Sequence, residues 1–216
     1  MTDRLSLYND ALMHVGERFL GSLTENREPR RLLDQVWASG GVDYILERGQ
    51  WAHATRTQRI DYDSGIEPTF GYRYAFPHPD DFICTRAVCS DEYFRVPLIN
   101  HVDEGGYWYA DLATIYVRFV SNDPAYGMNL GKWPKTFQRL VALHFGSEIA
   151  AKLTGKESEK VRLQEERDKA LAEAKNATAQ LEPTQFPAQG AWLRARHRYP
   201  GRRDGGNNDS GPLIGG

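Results

Sequence analysis

The carboxylates, imidazoles and thiols that could do chemistry in this chain are thinly spread. Asp80 and Asp81 form an adjacent carboxylate pair, with Glu104 as a third acid in the same stretch. Paired carboxylates support hydrolysis when their environments push the two pKa values apart. Adjacent side chains point to different sides of the chain, however, and behind Pro79 the pair reads as turn residues. The six histidines, His14, His53, His78, His101, His144 and His197, are scattered. His144 falls on an apolar helix face and reads as a core histidine, not as a ligand or base. Cys84 and Cys89 lie five apart in strand-like sequence, and in a regular strand an odd spacing places them on opposite faces. With no further Cys and no His cluster nearby they do not form a zinc site, and two buried or half-buried thiols are expected. No phosphate-binding glycine loop, no G-x-S-x-G elbow and no H-E-x-x-H helix occurs. No catalytic residue, metal site or cofactor is nominated, so the expectation is a protein that is not an enzyme.

Two aromatic clusters, Tyr72, Tyr74 and Phe76, then Tyr107, Trp108 and Tyr109, have the faces needed to stack bases. Only Arg73 lies among them, so they read as core and interface residues. A third group stands in the C-terminal segment, where Trp192, Leu193 and Tyr199 interleave with Arg194, Arg196, Arg198, Arg202 and Arg203. Large anchors beside arginine suit a docking peptide, because Trp, Tyr and Arg dominate binding hot spots. The same arginines could hold a polyanion electrostatically.

These residues need elements to position them. Leu5, Tyr8, Leu12, Val15 and Phe19 recur at helical spacing and predict a helix over about 2–20, capped by Thr2 or Asp3 and stopped at Gly21. A second helix is expected from Pro29 to Gly49, weakened in its middle by Gly40 and Gly41. From Arg56 to Val120 the pattern changes to short segments rich in aromatic and β-branched residues. They are punctuated by Asp63-Ser64-Gly65, Pro77-His78-Pro79-Asp80-Asp81 and Glu104-Gly105-Gly106, which predicts antiparallel strands. Ile115, Val117 and Phe119 alternate with Tyr116, Arg118 and Val120, as in a strand with one face on a core. Pro134 opens a third, apolar helix to about Leu153. A fourth spans about Lys156 to Leu181, with an inner stripe of Leu163, Ala170, Ala174, Ala177 and Leu181 and an outer Glu165–Lys169 pair.

The expected fold is therefore α+β. Two helical pairs, 1–55 and 133–182, make a four-helix bundle around an inserted β-rich region, 56–132, and a flexible basic tail occupies 183–216. The chain has 216 residues, 40% hydrophobic and 26% charged, within the range of a soluble globular body. No apolar run approaches the roughly 20 residues that span a bilayer, and no signal-peptide pattern opens the sequence. A cytoplasm-like compartment is the expectation. The net charge of -2 is uneven: five Arg against Asp204 and Asp209 give the tail +3, leaving -5 on residues 1–182. A basic tail on an acidic body suggests separate tasks.

Several motifs, in order, resemble one family. Asn9-Asp10-Ala11-Leu12-Met13-His14-Val15-Gly16 is similar to an A-L-x-x-x-G first-helix pattern. Leu46, Trp51 and Ala54 with Arg56 resemble the end of a second helix and a following W-x-x-A stretch. Gly71 to Asp81 resembles a Tyr-Ala-aromatic, Leu-Pro-x-Asp segment, here with Phe76-Pro77 in place of aromatic-Leu-Pro and with His78 intervening. Trp133-Pro134-Lys135-Thr136-Phe137 and the Ala-rich 171–181 follow. Together, over roughly Leu5 to Glu182 and on to Ala191–Arg196, they resemble the tail tubular protein A family of short-tailed phages, the head-to-tail adaptors.

That resemblance implies a virion protein of the phage tail or neck, made in the host cytoplasm. It implies a helical bundle with a β-rich portion, assembled as a dodecameric ring between the portal protein and the tail nozzle. Genomic DNA would pass through the lumen without sequence-specific binding, and no membrane is involved. The C-terminal segment would reach the portal, making Trp192, Leu193, Arg194, Arg196, Arg198 and Tyr199 the portal-binding candidates. The alternative from composition is a nucleic-acid-binding module acting through the basic tail, with salt-dependent affinity. A hydrolase using Asp80, Asp81 or Glu104 is a third reading, which needs a carboxylate-lined pocket.

Overall fold

In the computed structural model, which describes residues 3–69 and 71–181, the first helix begins where the sequence supplies a cap. The Asp3 carboxylate accepts from the Ser6 amide at 2.7 Å, and the Ser6 hydroxyl accepts from the Asp3 amide at 3.0 Å. This reciprocal pair satisfies two amides that a helix start leaves open. Helix α1 (Arg4–Val15) buries Leu7, Tyr8, Ala11 and Leu12 and stops at Gly16, whose φ of 82° gives a left-handed cap. The helix is thus shorter than its apolar stripe suggests, and Phe19 is exposed. Asn9 explains the early stop. Its side-chain amide donates to the Leu20 carbonyl at 3.1 Å and its carbonyl accepts from the Leu20 amide at 2.8 Å, which holds a non-helical return.

The second expected helix is two, α2 (Glu28–Ala38) and α3 (Gly41–Leu46), with Pro29 in the first turn of α2. Gly40 breaks it with a φ of 82°. At Gly41 a Cβ would lie 2.8 Å from the Val36 carbonyl oxygen and 3.2 Å from the Phe145 ring, so the bend needs both glycines. Helix α4 (Lys135–Thr154) follows Pro134, and α5 (Glu157–Gln180) returns after Gly155. Helix α4 packs against α1, α2, α3 and α5. Its residues 140–147 are buried without interruption, as enclosure on several sides requires. On α5, Leu163, Ala170 and Ala174 are buried as the stripe suggests. Thr178 takes the next buried place, Ala177 is half-buried and Leu181 is exposed. With 24 residues against the 20 of α4, α5 is longer than its partner by about 6 Å at 1.5 Å per residue.

The strands fall between α3 and α4: β1 (Thr55–Asp61), β2 (Tyr74–Pro77), β3 (Phe82–Cys89), β4 (His101–Glu104), β5 (Tyr107–Ala110) and β6 (Thr114–Ser121). They pair antiparallel into two three-stranded sheets, ordered β1-β6-β3 and β2-β5-β4. Gly105 and Gly106, with φ of 62° and 85°, make the tight β4–β5 turn, where two successive positive φ values suit a type I′ hairpin. The fold of the described residues is α+β, with five helices and these two sheets.

One face of each sheet turns toward the other. Ile60, Val88, Ile115, Val117 and Phe119 of the first sheet share a buried cluster with Phe76, Trp108 and Ala110 of the second. By alternation Tyr116 and Arg118 point away from that cluster, and at the end of the same outer face Val120 enters the helical core. Strand β6 therefore serves both cores. Strand β3 carries two register shifts, and Cys84 and Cys89 stand opposite Val120 and Tyr116, both on the outer face. This corrects the expectation of opposite faces, because a bulge adds a residue and inverts the alternation beyond it. Both cysteines are free thiols, and burial pushes both pKa values up.

Candidate interaction surface

Of the acids that invite a catalytic reading, Asp81 is occupied structurally. Asp81 accepts from Arg56 Nη1 at 2.7 Å and from the Ser121 hydroxyl, and its carbonyl accepts from the Asn122 amide. Burial works to raise its pKa, but the Ser121 and Arg56 hydrogen bonds outweigh it and hold the carboxyl below its usual value. The residue ties β1 to the end of β6 at the border of the helical core. Glu104 lies on β4 and joins neither Asp80 nor Asp81 in any pocket described below.

A second polar cluster, not anticipated from sequence, links the two sheets. His78 Nε2 lies 3.2 Å from Asp103, whose other oxygen accepts from the Thr85 hydroxyl. Trp108 Nε1 donates to Thr85 Oγ1 at 2.8 Å and to Asp103 at 3.2 Å, and the His78 ring packs tilted against Trp108 and Phe82, with ring centres 4.1 and 4.0 Å away. Burial lowers the His78 pKa, with Asp103 opposing the shift. A nucleophile relay needs the imidazole between acid and hydroxyl. Here the carboxylate stands between them, so the hydroxyl proton is directed to Asp103 and not to an imidazole.

His144 is 5% exposed and stacked 4.9 Å from Tyr44; burial, then the charges of Arg167 and Arg48, press its pKa down to about 4. Burial alone brings half-buried His53 to about 4. Both rings are neutral packing units at neutral pH. Among the described residues, no group of three or more His, Cys, Asp or Glu is arranged to hold a metal ion. No helix among them is long and apolar enough to cross a membrane. A cavity of about 500 Å³ lies between the α3–β1 turn, β3 and the end of α5, with Glu47, Arg48 and Lys175 in its walls. Of the aromatic clusters, Phe76 and Trp108 are core, while Tyr107 and Tyr109 are half-buried. Trp192, Leu193, Arg194, Arg196, Arg198 and Tyr199 lie outside the described residues.

What the structure does gather is contact surface. The β3–β4 loop is pinned at its base: the Asp91 carboxylate accepts from the amides of Arg95 and Val96 at 3.1 and 2.8 Å, and the Ser90 amide donates to the Val96 carbonyl. These amide bonds, that to Val96 foremost, hold the Asp91 pKa below its usual value. Leu98 donates its amide to Val88 and packs on the inter-sheet core. Phe94 has a φ of 55°, a conformation unfavourable for a bulky side chain, and its ring lies 4.0 Å beneath the Arg118 guanidinium. The pinned loop leaves Tyr93, Val96 and Ile99 facing solvent at 68%, 56% and 88% exposure. Sequence reading passed over this segment; the available signal was a cluster of large apolar residues over 93–99, broken by Arg95 and Pro97 and lacking strand alternation.

On the second sheet a groove of about 350 Å³ runs between the 66–72 loop and the β4–β5 hairpin. Ile66, Tyr72, Val102 and Tyr109 form its apolar walls, with Glu67 and Glu104 as its charges. No protein-family model matches the chain, and no curated protein matches it.

Proposed function

We propose that this chain is a structural head-to-tail adaptor of a short-tailed phage, a ring subunit between portal and tail nozzle through which the genome passes. One observation carries the reading: the segments that resemble the tail tubular protein A family occur in family order, and they coincide with the joints of the fold. Asn9 and Gly16 end α1. Trp51 Nε1 donates to the Ile45 carbonyl at 3.0 Å and closes the turn after α3. Arg56 and Asp81 form the latch on β6, and Trp133 Nε1 donates to the Gly127 carbonyl at 2.7 Å just before α4. Residues that set where elements end are the ones a shared architecture would share.

In this reading α1, the α2–α3 pair, α4 and α5 act as the four-helix bundle of the ring wall, and the β-rich region supplies contacts between subunits and to the tail. The 183–216 segment is the tail that docks, with Trp192, Leu193, Arg194, Arg196, Arg198 and Tyr199 meeting the portal. The ring is dodecameric, and the protein resides in the virion neck.

The test is mass measurement by size-exclusion chromatography with and without a portal ring, followed by low-resolution imaging of the mixture. A ring seated on the portal is expected, and deleting 183–216 should abolish the complex while leaving thermal unfolding of the body unchanged. A protein that stays monomeric and ignores portal overturns the proposal. Salt-dependent DNA binding lost on the same deletion would favour the nucleic-acid reading instead.

A further inference from the structure

The two sheets lie face to face, so their outer faces look in opposite directions, and those faces differ in charge. The outer face of the first sheet carries Arg118 on its central strand and Arg59, which stands opposite Tyr116 in the β1–β6 register and is paired with Asp61 at 3.1 Å. Arg86 is on this side as well, since its Nη1 donates to Thr55 Oγ1 at 2.6 Å and Thr55 stands opposite Val120. Because Phe94 lies under Arg118, the pinned loop folds over this same face and adds exposed Arg95, Tyr93 and Val96, with Glu92 as the loop's exposed carboxylate. The Arg95 guanidinium lies over the Tyr93 ring and pairs with no carboxylate among the described residues.

The outer face of the second sheet has the opposite character. Asp103 is turned inward by its bonds to Thr85 and Trp108, so its neighbours Val102 and Glu104 point outward. There they line the groove with Glu67, Tyr72 and Tyr109, and no lysine or arginine lines it. Neither Glu67 nor Glu104 has an ion-pair partner among the described residues.

We infer that these two faces join successive copies of this chain head to tail, the Arg95 loop of one copy seated in the Glu67–Glu104 groove of the next. The inference rests on the ring reading and names the contact that would build it. Large apolar side chains on a loop whose backbone is already pinned suit an apolar groove, since docking then costs side-chain ordering but little backbone ordering. The free arginine on one side answers the free carboxylates on the other, which fixes register and polarity. Complementary patches on opposite faces of one body make a heterologous contact, the kind that closes into rings.

Sedimentation velocity on the full chain over a concentration series tests this. Wild-type protein should associate progressively. Arg95→Glu and Glu104→Arg should each weaken association at least about tenfold, because each sets like charges against each other. Mixing the two variants, or combining both changes in one chain, should restore it, and Val96→Ser tests the apolar part of the contact without adding or removing a charge. Unfolding curves of the variants serve as the folding control, which surface positions are expected to pass. Association that survives both charge variants unchanged, or no recovery in the mixture, overturns the pairing of faces. If such variants still seat as rings on a portal, the ring reading stands without this contact; a wild-type chain that associates neither alone nor on a portal sinks both.

Discussion

Acidification should destabilise this protein through His144 in a way that one substitution can isolate. The ring stacks on Tyr44, its Nδ1 has no hydrogen-bond partner, and Glu148 stands 3.9 Å away, too far to donate or accept usefully. Arg48, following α3, and Arg167 on α5 oppose a positive charge there, and the folded-state pKa falls from 6.5 to about 4. The unfolded chain therefore takes up a proton as pH drops below 6.5 while the folded chain does not. Stability is full above that value and is lost as pH falls from 6.5 toward 4. With about 1.4 kcal/mol per pH unit, the loss at about pH 4.5 is roughly 2.5 kcal/mol for this ring. His53, whose pKa burial also lowers to about 4, adds a loss of the same sign that is common to wild type and to a His144 variant. Urea unfolding at about pH 7 and pH 4.5 measures the loss, with His144→Phe as the comparison. Phenylalanine keeps the stack and sacrifices no hydrogen bond at Nδ1, so the variant should match wild type at neutral pH to within about 1 kcal/mol. It should then lose roughly 2.5 kcal/mol less on acidification, the carboxylate contributions being common to both proteins. Equal losses in the two proteins would refute the assignment.

Two further substitutions probe the junction between the cores. Asp81→Ala removes the partner of Arg56 and Ser121 and should cost about 2 kcal/mol, reduced from a fully buried pair because Arg56 is 31% exposed; chemical unfolding at neutral pH reads it. The same bond makes the wild-type protein lose stability as pH falls through the depressed Asp81 pKa, a loss the variant should lack. Gly127→Ala would place a Cβ 2.1 Å from the Ser121 carbonyl oxygen and 3.0 Å from Leu46, so a loss of about 2–3 kcal/mol is expected from thermal or urea unfolding. A variant as stable as wild type would show that the loop yields freely.

Elements governed by local chemistry were readable in advance, and those governed by distant partners were not. Helices α4 and α5 follow from apolar spacing, Pro134 and Gly155, all within a few residues of what they control. The end of α1 was misplaced because two glycines competed for it. The deciding contact, Asn9 to Leu20, spans 11 residues and leaves no periodic mark. The Gly40 break was foreseen as a weakness, but Gly41 needs the proximity of Phe145 to become a requirement. The face of each cysteine was misjudged because a bulge adds one residue without altering composition. Asp81 reads as a turn residue until Arg56 and Ser121, 25 and 40 positions away, are brought to it. The surface loop was missed for a related reason: exposure of Tyr93, Val96 and Ile99 follows from the Asp91 amide bonds and the Leu98 anchor, not from residue type.

The two buried clusters give the molecule a division that matters for testing any assembly role. Strand β6 sends Ile115, Val117 and Phe119 into the inter-sheet core and Val120 into the helical core, with Ser121 bonded to Asp81 beside it. A change at this seam strains both cores at once, so loss of assembly in a seam variant says nothing about contact surfaces. The outer positions Arg95, Val96 and Glu104 belong to neither cluster. Their substitution removes charge or apolar area without opening a cavity, and surface changes of that kind shift stability by only about 0.5 kcal/mol. An assembly defect at those positions with unfolding unchanged therefore reports on contact between copies. The same defect at Asp81 or Gly127, with a lowered unfolding midpoint, reports on the fold.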